Sequence, residues 1–100
     1  MSVYLMLTTL TDKGRSALQE DPEMLKEVNR QMELMGVKIL DQYALLGQYD
    51  FVNIVEAASN EVMAKLATRL SAIGNFSTLT LAAITIDALI ETLKEKEPPW

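Results

Sequence analysis

Four short runs of strand-forming residues alternate with stretches of helical spacing in this chain, and that order restricts the possible folds more than any other feature. The strand-like runs cover residues 3–8, 37–46, 51–57 and 78–84. In the two long intervals, residues 22–36 and 59–74, apolar residues recur at helical spacing. The order of segments is therefore β-α-β-β-α-β.

Residues at the ends of the helical segments support this assignment. Asp21 and Pro22 suit the start of the first helix, because Asp accepts hydrogen bonds from free backbone N–H groups and Pro fits the first helical position. Gly36 suits its end, since glycine readily adopts the left-handed conformation that follows many helices. Ser59 and Gly74 delimit the second helix in the same way.

A further helix is predicted after the fourth strand, with Asp87 as its N-cap and an apolar side made of Ile86, Leu89, Ile90 and Leu93. A short helical turn is expected over residues 15–20, and an extended tail over residues 98–100. Residues 1–100 are predicted to form a single domain. Its fold class is α+β and ferredoxin-like: a four-stranded antiparallel sheet with two crossover helices on one face, plus the C-terminal helix.

The chain contains no cysteine and no histidine, and its net charge is −5. Disulfides, thiolate and imidazole nucleophiles, Ser-His-Asp catalysis, Cys/His zinc sites and the usual haem ligand are therefore excluded. The sequence also lacks the ligand spacing of a calcium loop and a glycine-rich phosphate loop. We expect no metal site and no cofactor.

The sequence has neither an export signal nor a stretch that predicts a membrane span. Met1-Ser2-Val3 lacks the basic region that precedes the apolar core of a signal peptide. The most apolar stretch, residues 78–90, is interrupted by Thr80, Thr85 and Asp87, and it is shorter than the ~20 residues of a spanning helix. We expect a cytoplasmic protein without a membrane partner.

Alternation along the strands divides the sheet residues between two faces. The larger aliphatic residues are expected beneath the helices: Val3, Leu5, Leu7, Val52, Ile54, Leu79 and Leu81. The open face would then carry Tyr4, Met6, Thr8, Phe51, Asn53, Val55, Thr78, Thr80 and Ala82. An exposed patch of this extent is typical of an interaction surface. We expect two identical sheets to pack face to face in a homodimer or higher homo-oligomer, with an interface formed by Tyr4, Met6, Phe51 and Val55.

A nucleic-acid partner has to be considered, because RNA-recognition domains share this fold and bind RNA on the open face. Tyr4, Tyr49 and Phe51 match aromatic positions of their two strand motifs. The basic, small and last aromatic positions are occupied instead by Gly47, Asp50 and Ile54. An acid at the stacking site and a negative net charge disfavour a phosphate backbone. We expect no nucleic-acid partner.

Three carboxylates are candidates for a binding or catalytic site. Asp50 and Glu56 lie six residues apart, about 20 Å along a strand, whereas the two carboxylates of a glycosidase lie roughly 5 to 9.5 Å apart. Asp50 is expected to cap the hairpin turn. Glu56 is either solvated near a helix N-terminus or held at a pocket rim. Asp41 lies in a predicted edge strand, where it either faces outward or is a buried base.

Tyrosine and amide side chains complete the candidate binding set. Each tyrosine can donate to a ligand carbonyl or pack with its hydroxyl tethered. A pocket between the sheets or at the dimer seam would be lined by Tyr4, Asn53 and Thr80. The candidate ligand-binding residues are thus Tyr4, Tyr43, Tyr49, Asp50, Asn53, Glu56 and Thr80. No catalytic residue is assigned.

Three separated segments, residues 8–14, 46–50 and 74–80, together resemble the GYD-domain family. The family is named for a Gly-x-Tyr-Asp hairpin, here Gly47, Tyr49 and Asp50. The strand after the hairpin typically ends in Val-Glu-Ala, here Val55-Glu56-Ala57. The resemblance covers nearly the whole chain. It implies a place in the dimeric α+β barrel superfamily, in which two ferredoxin-like sheets face each other.

The resemblance does not imply one activity, because that superfamily contains cofactor-independent monooxygenases, isomerases, haem-handling enzymes and amino-acid-sensing modules. The leading interpretation is an oligomeric, non-catalytic module that binds a small-molecule ligand or another protein. The alternative is a cofactor-independent enzyme of oxygenase or isomerase type, acting on a small aromatic or carbonyl substrate. Its base would be Asp50, Glu56 or Asp41, and a tyrosine would polarise the substrate. A purely structural assembly unit is the third interpretation.

Overall fold

The computed structural model describes residues 1–95 and 98 of the 100-residue chain. In chain order the elements are β1 (Ser2–Leu10), α1 (Asp12–Glu20), α2 (Met24–Leu34), β2 (Lys38–Ala44), β3 (Phe51–Ala57), α3 (Asn60–Ile73), β4 (Phe76–Ala83) and α4 (Ile86–Lys94). The first crossover, between β1 and β2, contains α1 and α2, and the second, between β3 and β4, contains α3. The predicted α+β, ferredoxin-like arrangement is confirmed.

The four strands form one antiparallel sheet in the order β2-β3-β1-β4. β2 is an edge strand, as predicted, and Asp41 on it is exposed. The pairing of β2 with β3 shifts register at Leu40, between Ile39 and Asp41. This irregularity changes the alternation along β2, so that Ile39 and Gln42 both face the helices.

The helix α1 is longer than the helical turn predicted over residues 15–20. It begins after Thr11, whose hydroxyl accepts a hydrogen bond from the backbone N–H of Gly14 at 3.0 Å. Its apolar side chains, Ala17 and Leu18, are only partly buried. Two partly buried apolar residues do not form a pattern that reveals the whole helix. The start of α1 is defined instead by the hydrogen bond to the cap residue Thr11.

The other helix ends agree with the sequence in part. Gly36 and Gly74 adopt left-handed φ angles of 85° and 88°, and the hydroxyl of Ser59 accepts from Val62 N at 3.3 Å, as expected for an end and a start. α2 begins at Met24 rather than Pro22, because residues 22 and 23 form a turn after α1. The N-cap of α4 is Thr85, not Asp87, since the Thr85 hydroxyl accepts from Ala88 N.

The ends of two strands also differ from the prediction. β2 stops at Ala44, so residues 45 and 46 belong to the connection to β3. β4 starts at Phe76, two residues earlier than predicted, because it pairs with β1 as far as Leu10. Of the predicted extended tail, Pro99 and Trp100 lie outside the described residues.

The helices cover the face of the sheet opposite to the one predicted. Tyr4, Met6 and Val55 are 3%, 0% and 0% exposed and form one core with the side chains of α2 and α3, and Phe51 packs against that core. The four residues predicted for a dimer interface therefore lie on the helix-covered face, where Phe51 is half-buried and the other three are buried, and the predicted assignment of faces is wrong. The buried face also contains Thr8 and Asn53.

Polar partners on the helices explain why this face can be buried. The Tyr4 hydroxyl donates to Asn60 Oδ1 of α3 at 2.5 Å, and Gln42 of β2 pairs with Asn29 of α2. The prediction assumed that the more aliphatic face packs on the helices. Both faces of this sheet are apolar, however, so hydrophobicity alone does not distinguish them.

The aliphatic face, on the side of the sheet away from the helices, is not covered by any other described element. It carries Val3, Leu5, Leu7, Tyr43, Val52, Ile54, Leu79 and Leu81. Tyr43, Leu79 and Leu81 are exposed, and the others are half-buried by their neighbours. We call this surface the open face.

The C-terminal helix α4 likewise has no element packed on it among the described residues. All its residues are exposed, including the apolar side formed by Ile86, Leu89, Ile90 and Leu93. The molecule extends 59 × 29 × 22 Å and has a radius of gyration of 16.2 Å, against about 13 Å for a compact domain of this length. We infer that α4 projects from the domain.

The three segments that resemble the GYD family meet at the end of β1, where Asp50 of the hairpin accepts a hydrogen bond from Leu10 N. The Thr11 hydroxyl donates to the Gly74 carbonyl at 2.6 Å, and Thr11 N donates to the Asn75 carbonyl at 3.0 Å. A Cβ atom at Gly14 would overlap the Asn75 carbonyl, so only glycine fits there without a backbone shift. These residues join α1 to the turn that precedes β4.

Candidate functional site

A cavity of about 190 Å³ lies between α2 and the helix-covered face of the sheet. Alternation along β1, β2 and β3 directs one set of side chains into it, and the apolar side of α2 closes it from above. Its lining consists of Thr8, Leu25, Val28, Asn29, Met32, Gln42, Ala44, Phe51, Asn53, Leu70 and Phe76. Gln42 and Ala44 are exposed on the edge strand, so the cavity opens at the β2 edge.

Three amide side chains form a hydrogen-bonded chain from the mouth of the cavity to its floor. Asn29 Nδ2 donates to Gln42 Oε1 at 2.8 Å, and Gln42 Nε2 donates back to Asn29 Oδ1 at 2.9 Å. Gln42 Nε2 also donates to Asn53 Oδ1 at 2.7 Å. Asn53 is 6% exposed. The amides connect α2 to β2 and β3 and fix the orientation of the buried Asn53.

Two polar groups of the cavity have no protein partner among the described residues. The Thr8 hydroxyl oxygen is closed off from solvent and unpaired. Asn53 uses its Oδ1 atom, while its Nδ2 group has no protein acceptor. Thr8 lies opposite Phe51 and Asn53 opposite Met6, so Thr8 and Asn53 are diagonal neighbours on one face, about 7 Å apart.

The cavity lining is uncharged. Among the described residues that line it, none is ionisable. A molecule in the cavity would meet amide, hydroxyl and apolar groups only, so the arrangement suits binding of an uncharged group and offers no base for proton transfer.

The Asp50 carboxylate, one of the candidate bases, has a structural partner. Its Oδ2 atom accepts from the backbone N–H of Leu10 at 2.8 Å. Its own backbone N–H donates to the Thr8 carbonyl at 2.9 Å, and its carbonyl accepts from Leu45 N at 2.8 Å. Asp50 thus connects the hairpin to the end of β1, beyond the local turn that the sequence predicted it to cap.

The remaining predicted site residues do not form one cluster. Tyr43 is exposed on the open face, and Glu56 shares that face half-buried, opposite Lys38 and Val3. Tyr49 is half-buried in the hairpin connection. The structure therefore places the candidate carboxylates outside the lining of the α2 cavity and Asp50 apart from the other two, whereas Asp41, opposite Ile54, is a diagonal neighbour of Glu56 on the open face.

The pocket predicted from Tyr4, Asn53 and Thr80 is divided between two places. Asn53 lines the α2 cavity, whereas Tyr4 and Thr80 line a separate groove beside α3 that also contains Asn60. The Thr80 hydroxyl oxygen is buried and unpaired, like that of Thr8. Neither the α2 cavity nor this groove contains all three residues.

Sequence reasoning misses three polar residues of the α2 cavity as site candidates. Strand alternation assigns Thr8 to the open face, and it does not single out Asn29 or Gln42. The available signal is an amide beside the apolar stripe of α2, at Asn29 next to Val28. Pairing that amide with Gln42 requires the register shift in β2, which the sequence does not reveal.

The outer surface of α2 is charged and solvated. Two hydrogen bonds from Arg30, at 3.0 and 2.8 Å, and one from Gln31 hold the pKa of Glu27 at about 2, below the ordinary 4.5. This carboxylate therefore stays ionised through the neutral and mildly acidic range. It belongs to a solvent-exposed ion pair and is not among the described residues that line the cavity.

Two kinds of feature are absent from the described residues. No helix in this part of the chain combines the length and the apolar character that a membrane crossing requires. The same residues contain no group of three or more acidic side chains placed to hold a metal ion.

Comparison with known proteins identifies the family. The family model described as GYD domain matches residues 4–93. A protein of Thermus thermophilus, named glutamine synthetase and cystathionine beta-lyase binding protein, is 44% identical over 95 residues, covering 94% of this chain and 100% of the relative. The crystal structure of FFRP-DM1 has a TM-score of 0.58 at 17% identity, covers 84% of this chain and 100% of its own, and supports the fold alone. The chain therefore belongs to the GYD-domain family.

Proposed function

We propose that this protein is a cytoplasmic, homo-oligomeric interaction module that binds a metabolic enzyme, and that the enzyme is glutamine synthetase or cystathionine beta-lyase. The observation that carries the proposal is the 44% identity with a relative named for binding these two enzymes, over that relative's full length. The exposed open face and the projecting α4 support the homo-oligomeric part of the proposal, because uncovered apolar surfaces of this extent are typical of protein contacts.

A second copy of the chain is the proposed occupant of the open face. Four strands of about seven residues give a face of roughly 19 by 23 Å, or about 440 Å². A stable interface buries about 800 Å² on each partner, so sheet-to-sheet packing alone falls short. If the apolar side of α4 packs on the second copy, it adds buried area on both chains. The α4 helix of the second copy adds the same area again. Both features therefore belong to one proposed interface.

The residues that line the α2 cavity favour a binding role over the enzyme alternative. Asp41, Asp50 and Glu56 are absent from the described lining of that cavity. A substrate held there would have no carboxylate within the hydrogen-bond reach that general-base catalysis requires. The leading proposal is accordingly a protein without chemistry of its own, acting through its surfaces.

The test is direct binding between purified proteins. The full chain is immobilised, and glutamine synthetase and cystathionine beta-lyase from the same organism are each passed over it in biolayer interferometry. We expect saturable binding of at least one enzyme at micromolar or lower concentration. An unrelated oligomeric enzyme of similar net charge serves as the control, since a protein with a charge of −5 also attracts cationic surfaces non-specifically.

Two results bear on the proposal in opposite ways. Saturable binding that survives moderate salt and is absent from the control enzyme supports a specific complex. If neither enzyme binds more tightly than the control, the proposed partner class is wrong, whatever the oligomeric state of the chain.

A further inference from the structure

We propose that the α2 cavity is a binding site for a small uncharged molecule with an apolar body and one carbonyl or carboxamide group. This inference does not depend on the protein partner proposed above. It rests on the size of the cavity, its lining, and the polar groups there that the protein leaves unpaired.

The size of the cavity limits the ligand to a compact molecule. A cavity of about 150 Å³ in a protein interior is large enough to hold benzene. The α2 cavity, at about 190 Å³, has room for a six-membered ring or a short branched chain carrying one small polar group. Its aromatic and aliphatic lining, including Phe51, Phe76 and Met32, suits an apolar body.

The unpaired polar groups determine the polar end of the ligand. Asn53 Nδ2 offers a donor that a carbonyl oxygen would accept, and its orientation is fixed because Gln42 donates to the Oδ1 atom of the same amide. Thr8 lies diagonally across the same face and lines the cavity, and its hydroxyl oxygen is buried without a partner among the described residues. A carboxamide can engage both, since it accepts at oxygen and donates at nitrogen.

A purely structural role, with neither ligand nor water in the cavity, accounts poorly for its unpaired polar groups. A buried hydroxyl without a partner is destabilising, and valine has the same shape without the polar atom. Ordered water needs two to four polar partners, and most of this lining is apolar. A ligand that carries its own polar group and fills the apolar space would satisfy both requirements.

The lining also determines the charge of the ligand. Among the described lining residues there is no cation to pair with a carboxylate and no carboxylate to pair with an ammonium group. Burying an unpaired charge is strongly unfavourable. The site should therefore discriminate a neutral amide from the acid or amine of the same shape.

The test uses benzamide as the probe and the full ¹⁵N-labelled chain in NMR titrations. We expect saturable shifts confined to the backbone amides around the cavity, in β1, β2, β3 and α2. Benzoate, which has the same shape but carries a charge, should bind at least tenfold more weakly. Toluene, which has the ring without the carboxamide, should bind several-fold more weakly than benzamide.

Two matched variants locate the site. Thr8→Val removes a hydroxyl from the cavity lining and should weaken benzamide binding about five- to tenfold. Thr80→Val removes an equally buried, unpaired hydroxyl from the same sheet face outside the cavity and should leave the affinity within about twofold. Both variants keep the β-branched shape, so both should fold.

Four results would overturn the inference. The first is the absence of saturable shifts with benzamide at millimolar concentration, and the second is binding of benzoate or toluene as tight as that of benzamide. Equal effects of Thr8→Val and Thr80→Val would place the hydroxyl contribution outside the cavity. Shifts confined to the open face or to α4 would assign the probe to another surface.

Discussion

At the scale of single residues, the carboxylate of Asp50 explains why a Tyr-Asp hairpin accompanies this fold. Its hydrogen bond from Leu10 N satisfies the last backbone donor of β1, where the strand leaves the sheet and α1 is about to begin. An unpaired buried backbone N–H would be destabilising. The conspicuous acid of the hairpin thus stabilises the fold, and it is not directed into the α2 cavity.

We predict that Asp50→Ala lowers the free energy of unfolding by about 1.5–3 kcal/mol, because it removes a hydrogen bond to a charged acceptor. Asp50→Asn keeps an acceptor oxygen and should lose less. Urea unfolding at fixed protein concentration measures both changes. Asp41→Ala, on the exposed edge strand, is the control and should leave the free energy nearly unchanged. Equal losses from Asp50→Ala and Asp41→Ala would contradict the assigned role.

The residue types around Asp50 predicted its local role in the turn, but they did not predict its hydrogen-bond partner. An acid beside a glycine turn indicates a structural cap, and the structure agrees that Asp50 stabilises the hairpin region. The hydrogen bond that Asp50 accepts from Leu10 N, 40 positions away in the chain, depends on how the sheet brings the hairpin to the end of β1. Amide pairs such as Asn29 with Gln42 were unpredictable for the same reason.

At the scale of elements, α4 has a polar and an apolar side but no packing partner within the described part of the chain. A nine-residue helix is marginally stable alone in water. Its apolar side, with Ile86, Leu89, Ile90 and Leu93 all exposed, therefore requires contact with another molecule. Under the proposed dimer, that contact is the second copy of the chain.

We predict that Ile90→Glu raises the dissociation constant of the dimer at least tenfold, because it places a charge on the apolar side of α4. Ile90 is 43% exposed in the protomer, so each chain should stay folded by circular dichroism. Sedimentation equilibrium measures the dissociation constant. Glu91→Gln, on the other side of the helix, is the matched control and should have little effect. If the two variants dissociate equally, α4 lies outside the interface.

Elements with strong patterns or clear caps were predictable, and α1 was not. The sequence identifies α3 by Ser59, Gly74 and an apolar stripe of which Met63, Leu66 and Leu70 are buried, whereas the fourth predicted member, Ile73, is exposed. α1 has only two apolar side chains and a glycine in its first turn, so its spacing resembles a turn. Its start depends on Thr11, which also contacts the distant Gly74.

At the scale of the whole molecule, the sheet has two apolar faces and the protomer covers only one. The sequence predicts that one apolar face of the sheet stays uncovered in the protomer, and the expected homodimer follows from that prediction. It could not show which face, because aliphatic content is high on both, and long-range partners such as Asn60 for the Tyr4 hydroxyl are visible only in the structure. The inversion moves the proposed interface from Tyr4, Met6, Phe51 and Val55 to the open face.

The measurement that tests the central claim most directly is the mass of the chain in solution, by light scattering at micromolar concentration. We predict that the wild type has twice the 11.2 kDa mass of one chain, or a higher multiple. Leu81→Asp on the open face should give a folded monomer, because it places an unpaired charge in the interface. Leu34→Asp, at an exposed leucine of α2, is the matched control and should keep the wild-type mass. A wild type that is monomeric under these conditions would contradict the account, since the open face would then have no second copy to cover it.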